Sequence, residues 1–452
     1  MTAVSDLAGL VSNLEYSSLS PETVDRVKAH ILDSYGAMVL GCNSHEGKSL
    51  ESLLLDLGPA SLTNGHGLSI SSLIASRCSA ARCTEFDDIH LESCTTPGSV
   101  VVPTAISLVE KGYISDPREF IVAVLIGYEV LVRFGLAING PAVLQKGIWP
   151  TYFAAASASA AVTARALKLD QIQTVNTLST AFALSSGTVI HPRGELTSRW
   201  LTVGLAAQNG AIAAFAIKRG FTGNETIAAE ASGQFYGLPF YAVRLAEDLN
   251  RRFMINETGL KPYPVARQGL AAVEAFREII NQNKIQFESI ENITVYVPEQ
   301  VIGVIDRPTP TSNRLDSISS VQYQIALAAI KPEALLDLER EELFQTETIL
   351  SLIKKVKVVG DVELSKLFPA TWPARLTVKA NGQVWTKEMF YPPGDHRNPL
   401  DRDALRKKFY RATGKVLRSA AVNKIADFIQ NLDNNSDLTG LSSSLGVNTD
   451  KN

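Results

Sequence analysis

The chain is poor in cysteine, methionine and tryptophan, with 4 of each among 452 residues. So few cysteines in so long a chain do not make a disulfide framework, and a reducing, cytoplasmic location is expected. An excess of one charge sign is also missing: 43 Lys and Arg stand against 46 Asp and Glu, for a net charge of −3. That balance offers no electrostatic basis for binding nucleic acid or an acidic membrane surface. The longest basic cluster, Arg406-Lys407-Lys408, is too short for a binding tract. No run approaches the roughly 18–20 uninterrupted apolar residues of a membrane span, so no membrane partner is expected. The opening MTAVSDLAGLVSNLEYSSL lacks the charged start and apolar core of a signal peptide, and it is too acidic for a transit peptide. No lipidation or peroxisomal signal stands at TDKN. A phosphate loop, a dinucleotide glycine pattern, a GxSxG elbow and a fixed-period repeat are all missing.

What the chain does contain is helix after helix. Ser20-Pro21-Glu22 predicts a helix start, with serine as cap, proline in the first turn and an acid behind it. Val24, Val27, Ile31, Leu32 and Tyr35 follow at helical spacing, and Val100–Val109 and Phe120–Phe134 continue the pattern. Two stretches, 151–167 and 204–217, are so rich in alanine and other small residues that they predict tightly packed, buried helices. Gly220 after Lys218-Arg219 reads as a helix stop. After about Lys261 the period changes. Residues 290–298 and 353–361 alternate as strands, and 374–390 predicts a hairpin turning at Asn381-Gly382. Between the strands, 317–330 reads as one helix, and after Asp401 the helices return. The fold class expected is mainly α with an α+β insert. Residues 1–264 form the first part of a helical domain and 265–400 an α+β lid domain. Residues 401–433 return to the helical domain, and 434–452 form a polar, disordered tail.

The chemistry gathers in a few places. Glu85, Asp87, Asp88, His90 and Glu92 crowd within eight residues, followed by Thr95-Thr96-Pro97-Gly98-Ser99. Crowded carboxylates raise one another's pKa, which suits a proton donor or base. The plain alternative is a solvated acidic loop, but apolar helices on both sides favour a cleft lining. Cys78, Cys83, His90 and Cys94 match no zinc spacing, so no metal is expected. His191-Pro192-Arg193-Gly194 with Arg199 is a second polar cluster. Arg199 there is either a carboxylate clamp or an ordinary surface arginine. Lys261-Pro262-Tyr263-Pro264 is stiffened by two prolines and is a substrate anchor, a base, a rigid linker, or more than one of these. Tyr323, inside an apolar helix, reads on pattern alone as a core tyrosine.

Five segments in this order resemble the MmgE/PrpD family, whose members include 2-methylcitrate dehydratase, cis-aconitate decarboxylase and iminodisuccinate epimerase. They are EFDDIHLESCTTPGSVVVP (85–103), GLAAQNGAIAAFAIKRGFTG (204–223), LKPYPVARQGLAAVEA (260–275), SSVQYQIALAA (319–329) and FYPPGDHRNPLDRDALRKKF (390–409). The resemblance implies a large all-helical domain, a smaller α+β lid and an active site in the cleft between them. It also implies a homodimer without cofactor, abstracting a proton beside a carboxylate of a small-molecule substrate. Against the family pattern, Glu85 replaces an aspartate. Thr96, Trp149 and Ala266 replace histidines, and Arg199 stands nearest a lysine. Lys261, Tyr323, Asp87 and Asp88 remain.

Threonine, tryptophan and alanine cannot act as general acids or bases near neutral pH. The expected catalytic set is therefore Asp87, Asp88, His90, Lys261 and Tyr323. The expected substrate-binding set is Glu85, Thr96, Trp149, Tyr152, His191, Arg199, Tyr263 and Arg267. The function expected is a cofactor-independent lyase or isomerase acting on a carboxylate or carbonyl compound. Its chemistry would be altered, such as cyclisation or rearrangement in specialised biosynthesis. The alternatives are an orthodox dehydratase or decarboxylase of a small di- or tricarboxylate, and a non-catalytic scaffold.

Overall fold

The computed structural model describes residues 2–57, 68–185, 196–226, 239–308 and 313–442. The chain divides into two compact units. One holds the described residues of Met1–His191, Thr197–Thr258 and Leu405–Asn452. The other holds those of Gly259–Ala404 and Pro192–Leu196.

The first unit is built of helices. Ser20 accepts a hydrogen bond from Thr23 N and starts the helix Pro21–Cys42, as its sequence predicts. The small-residue stretches form Pro150–Ala166 and Ser198–Lys218. Their composition is explained by how closely they pack. A Cβ added to Gly210 would lie 2.0 Å from the Ala156 carbonyl oxygen, and one added to Gly204 would lie 2.4 Å from the Ala75 carbonyl oxygen. Backbone therefore touches backbone, and only glycine fits. Gly220 has φ +95°, the left-handed conformation that ends the Ser198–Lys218 helix.

Two of these helices, Pro117–Ala137 and Ser198–Lys218, are long and apolar enough to cross a membrane. Neither is an uninterrupted apolar run, because Glu129 and Arg133 lie inside the first and Arg199, Gln208 and Asn209 inside the second. In Pro117–Ala137, 94 % of the most apolar stretch is buried in the protein, and Glu129 pairs with Arg133 at 2.9 Å inside it. Those are the properties of a core helix.

The second unit is an α+β sandwich of sheet and helix. The strands run in the order Val356–Gly360, Ile290–Val297, Ala374–Ala380, Gln383–Met389. The first pair is parallel and the other two are antiparallel. Asn381 and Gly382 have φ +51° and +73°, which gives the primed turn that their sequence predicts. Ile293, Val295 and Val297 point into a core shared with the helices Arg267–Asn283 and Val321–Ile330. A bulge between Ile290 and Asn292 breaks the strict alternation at the start of that strand.

Three expectations need correction. The single helix over 317–330 is two helices, Arg314–Ser319 and Val321–Ile330. Ser320 between them is extended, and its hydroxyl accepts from Tyr323 N at 3.1 Å, so a cap interrupts the run. The strand expected over 353–361 is shorter, because Ile353 closes the helix Glu347–Ile353. The tail expected from 434 is ordered in its first part. Thr439–Ser442 is a short helix, Leu438 and Leu441 are buried, and Tyr35 Oη donates to the Leu441 carbonyl. Two apolar side chains there find a place in the core despite polar surroundings.

A direct check of the tight helix contact is Gly210→Ala. The added methyl must push two backbones apart, and overpacking of this kind costs about 1–3 kcal/mol. A lower melting temperature in thermal unfolding is expected. An unchanged one would show that the two helices can separate without cost.

Candidate active site

The acidic loop begins where the helix Ile70–Cys83 ends. Glu85 adopts φ +54° and turns the chain. His90 N donates to Thr95 O at 2.8 Å and Thr95 N to His90 O at 3.3 Å, closing the loop on itself. The loop is not solvated. Glu85 is 7 % exposed, Asp87 and Asp88 0 %, His90 2 % and Thr96 5 %. Only Glu92 faces solvent. Carboxylates out of water must be met by cations or donors, and two separate sets of side chains meet them here.

The first set joins Glu85 and Asp87 to two guanidinium groups. Arg82 Nη1 lies 2.7 Å from Glu85 Oε2 and 3.4 Å from Asp87 Oδ1. Arg199 Nη2 donates to Glu85 Oε1 at 3.0 Å, and Arg199 Nε donates to Tyr152 Oη at 3.2 Å. The Arg199 guanidinium lies 4.3 Å from the centre of the Trp149 ring, and Trp149 stacks on Tyr152 at 5.7 Å. Burial works against the charge on Arg82, but Asp87 and Glu85 overcome it and hold the group more firmly protonated than usual. Thr96 N donates to Thr151 Oγ1 at 2.9 Å, so the position of Thr96 is tied to the same helix as Tyr152.

The second set surrounds Asp88. Its carboxylate accepts from Tyr128 Oη at 2.6 Å and from Gly98 N at 2.9 Å, and His30 Nδ1 lies 3.0 Å away. Gly98 opens the helix Gly98–Glu110, so the carboxylate sits at that helix's positive end. Beside it Asp33 pairs with Lys408 Nζ at 2.5 Å, and Lys408 donates to the Phe86 carbonyl at 2.8 Å. Burial raises the Asp33 pKa, and Lys408 opposes it. The Tyr128 phenol is pushed well above its usual range by burial and by Asp88.

The expected site residues therefore divide. Glu85, Asp87, Trp149, Tyr152 and Arg199 come together in one cluster. Asp88 is anchored by three neighbours in a separate set. His90 Nδ1 lies 2.9 Å from Ser93 Oγ and accepts from Ser93 N, so its ring is engaged within its own turn. Arg199 is not a surface arginine, since it is 2 % exposed. His191 lies outside the described residues.

In the second unit Lys261 is 4 % exposed. Its strap passes Gly394, where an added Cβ would lie 1.9 Å from the Leu260 carbonyl oxygen. Tyr263 Oη donates to Glu274 at 2.6 Å, and burial and Glu274 raise its pKa well above the usual value. Arg267 Nη2 donates to Asp395 at 2.9 Å, and burial lowers the arginine's pKa. Tyr263 and Arg267, expected to bind substrate, are thus held in internal pairs. Tyr323 is fully buried, its hydroxyl has no hydrogen-bond partner among the described residues, and burial pushes its phenol up to about 12.

Among the described residues no three His, Cys, Asp or Glu side chains converge as metal ligands would. Cys78 is a core thiol donating to the Val100 carbonyl, and burial raises it to about 12. A groove of about 840 Å³ on the first unit, lined by residues that include Asp6, Asn13, Gln171 and Arg251, shares no residue with the cluster. Sequence reasoning missed Arg82, Thr151, His30, Tyr128 and Lys408. Only Arg82, three residues before Glu85 at the end of a helix, carried a local signal.

Replacing Asp88 with asparagine tests its anchoring role. An amide cannot accept from all three neighbours, and a buried donor left unmet costs about 1–3 kcal/mol. Lower thermal stability and faster hydrogen exchange in residues 85–99 are expected. Unchanged exchange would place the anchor elsewhere.

The MmgE/PrpD N-terminal domain model matches residues 5–240, and the MmgE/PrpD C-terminal domain model matches residues 263–434. A cis-aconitate decarboxylase of Aspergillus terreus (strain NIH 2624 / FGSC A1156) is 21 % identical over 457 positions, covering 95 % of this chain and 93 % of the relative. The cis-aconitate decarboxylase-like protein oryM of Aspergillus oryzae is 21 % identical, covering 96 % and 95 %. The cis-aconitate decarboxylase of Mus musculus is 22 % identical, covering 96 % and 91 %.

Proposed function

Because the chain belongs to the MmgE/PrpD family, we propose that it is a lyase-type enzyme whose substrate bears a carboxylate or carbonyl group and whose chemistry departs from that of its decarboxylase relatives. The observation that carries this is the Trp149 position. Where the family pattern has a histidine, an indole stacks on Tyr152 beneath the Arg199 guanidinium. Among the described residues the side chains gathered here are carboxylates, guanidinium groups and aromatic rings, with no imidazole.

Among the described residues Arg82 and Arg199 balance Glu85 and Asp87 in charge. An incoming carboxylate or enolate oxygen can take up Arg199 in bidentate fashion and loosen its hold on Glu85. Glu85 then becomes the base, placed beside the bound oxygen. An apolar, aromatic wall suits a larger and less charged substrate than aconitate, and a shape-guided cyclisation or rearrangement needs few catalytic groups. The second reading is an orthodox decarboxylase or dehydratase, which the retained Lys261 and Tyr323 favour.

Incubation with cis-aconitate, 2-methylcitrate and iminodisuccinate, followed by proton NMR, separates the two. No turnover is expected, and clear turnover of any of the three overturns the altered chemistry. On the native substrate, Lys261→Ala and Asp87→Asn are each expected to lower kcat/KM by about 10²–10⁴-fold, the range for losing an acid or base. Full activity in both would remove these residues from the mechanism.

We further propose a homodimer. Leu205 and Ile212, seven residues apart on one face of the Ser198–Lys218 helix, are 37 % and 46 % exposed, and only 56 % of that helix's most apolar stretch is buried. Light scattering on the Leu205→Glu, Ile212→Glu double variant should give the mass of a monomer. A dimer mass would move the interface to another face.

A further inference from the structure

Arg340 is 2 % exposed, yet no carboxylate among the described residues lies within ion-pair distance of it. Its hydrogen bonds are long ones to backbone carbonyls: Nη1 to Ala334 at 3.5 Å and Leu335 at 3.4 Å, and Nη2 to Pro264 at 3.4 Å. Nε makes none. The guanidinium instead sits over the ring of Tyr323, 5.7 Å from its centre. On another side Tyr323 meets Phe344 edge to face at 5.4 Å. One cation thus touches three segments: the turn that follows Lys261, the helix that carries Tyr323 and the turn Pro332–Leu336.

A buried cation without an anion is costly, and a neutral side chain could cap three carbonyls at less expense. Asp337 and Glu341 favour the charge from beyond ion-pair distance, and the group the guanidinium directly faces is the Tyr323 ring. Building on the lyase reading above, we propose that Arg340 is a positioning residue for Tyr323. It fixes the phenol against the turn carrying Lys261 and places a positive charge beside the ring, where it favours the phenolate over the neutral phenol.

The surroundings agree with this role. Burial pushes the Tyr323 phenol up, Arg340 pulls it down and Glu341 pushes it up again. Burial lowers Arg340 to about 10, while Tyr323, Asp337, Glu341 and Tyr263 favour its charge. These are the titratable groups that act on the pair. Among the described residues the Tyr323 hydroxyl has no hydrogen-bond partner, so burial, Arg340 and Glu341 are what act on its acidity.

The test reads the phenol directly. The full chain is labelled with 3-fluorotyrosine, whose more acidic phenol titrates while the fold persists, and Tyr323→Phe assigns the fluorine resonance among the 12 tyrosines. In Arg340→Met the Tyr323 midpoint should rise by about one pH unit or more, the usual effect of losing a nearby opposite charge. In Arg340→Lys it should stay near the wild-type value. Should Arg340→Met fail to fold, Arg340→Gln removes the charge with a polar side chain. An unchanged midpoint in a folded, uncharged variant overturns the proposal, and so does an equal rise in Arg340→Lys. Because the signal needs no substrate, its failure leaves the lyase reading standing, and a failure of that reading leaves this coupling measurable.

Discussion

Glu85, Asp87, Asp88 and Asp33 all lie out of water in the first unit, and the organisation of the site follows from having to neutralise them. Each carboxylate needs a cation or donors at hydrogen-bond distance, because a bare buried charge is not stable. Arg82 comes from the preceding helix and Arg199 from a helix more than a hundred residues on. His30, Tyr128 and Lys408 come from three further helices, the last near the end of the chain. The acidic loop is therefore the point where distant parts of the helical unit are tied together. Loss of one partner leaves another charge exposed to a low dielectric.

This demand also gives the carboxylates of the loop different surroundings. Asp88 has its neighbours on all sides and stands at the start of the Gly98–Glu110 helix, so its charge is committed. Glu85 is shared between two arginines, one of which also stacks on an aromatic ring. A shared contact can be exchanged for a substrate oxygen, whereas a committed one cannot. Neighbouring carboxylates in the same short loop thus have different capacities, set by their surroundings and not by their type.

The second unit shows the same economy. Tyr263 and Arg267 are consumed by Glu274 and Asp395, which hold the strap around Lys261 in shape. Among the described residues Tyr323 and Arg340 have no carboxylate at ion-pair or hydrogen-bond distance, and they contact each other instead.

Periodicity alone was enough to determine most of the secondary structure. Caps such as Ser20, the alanine-rich helices and the Asn381-Gly382 turn act within a few residues, so the local chain carries their signal. It erred where a local hydroxyl outcompeted a pattern, as at Ser320, and where two leucines in a polar tail found a core to enter. The acidic loop was also visible in the sequence as a crowd of carboxylates, and the structure buries it. What the sequence could not contain was the pairing. Whether a carboxylate is an anchor or a base depends on which cations reach it, and His30, Tyr128, Arg199 and Lys408 are brought to the loop by helix packing over long stretches of chain. Charge interactions of this kind depend on distance in space and on exclusion of water, and only the tertiary structure decides those.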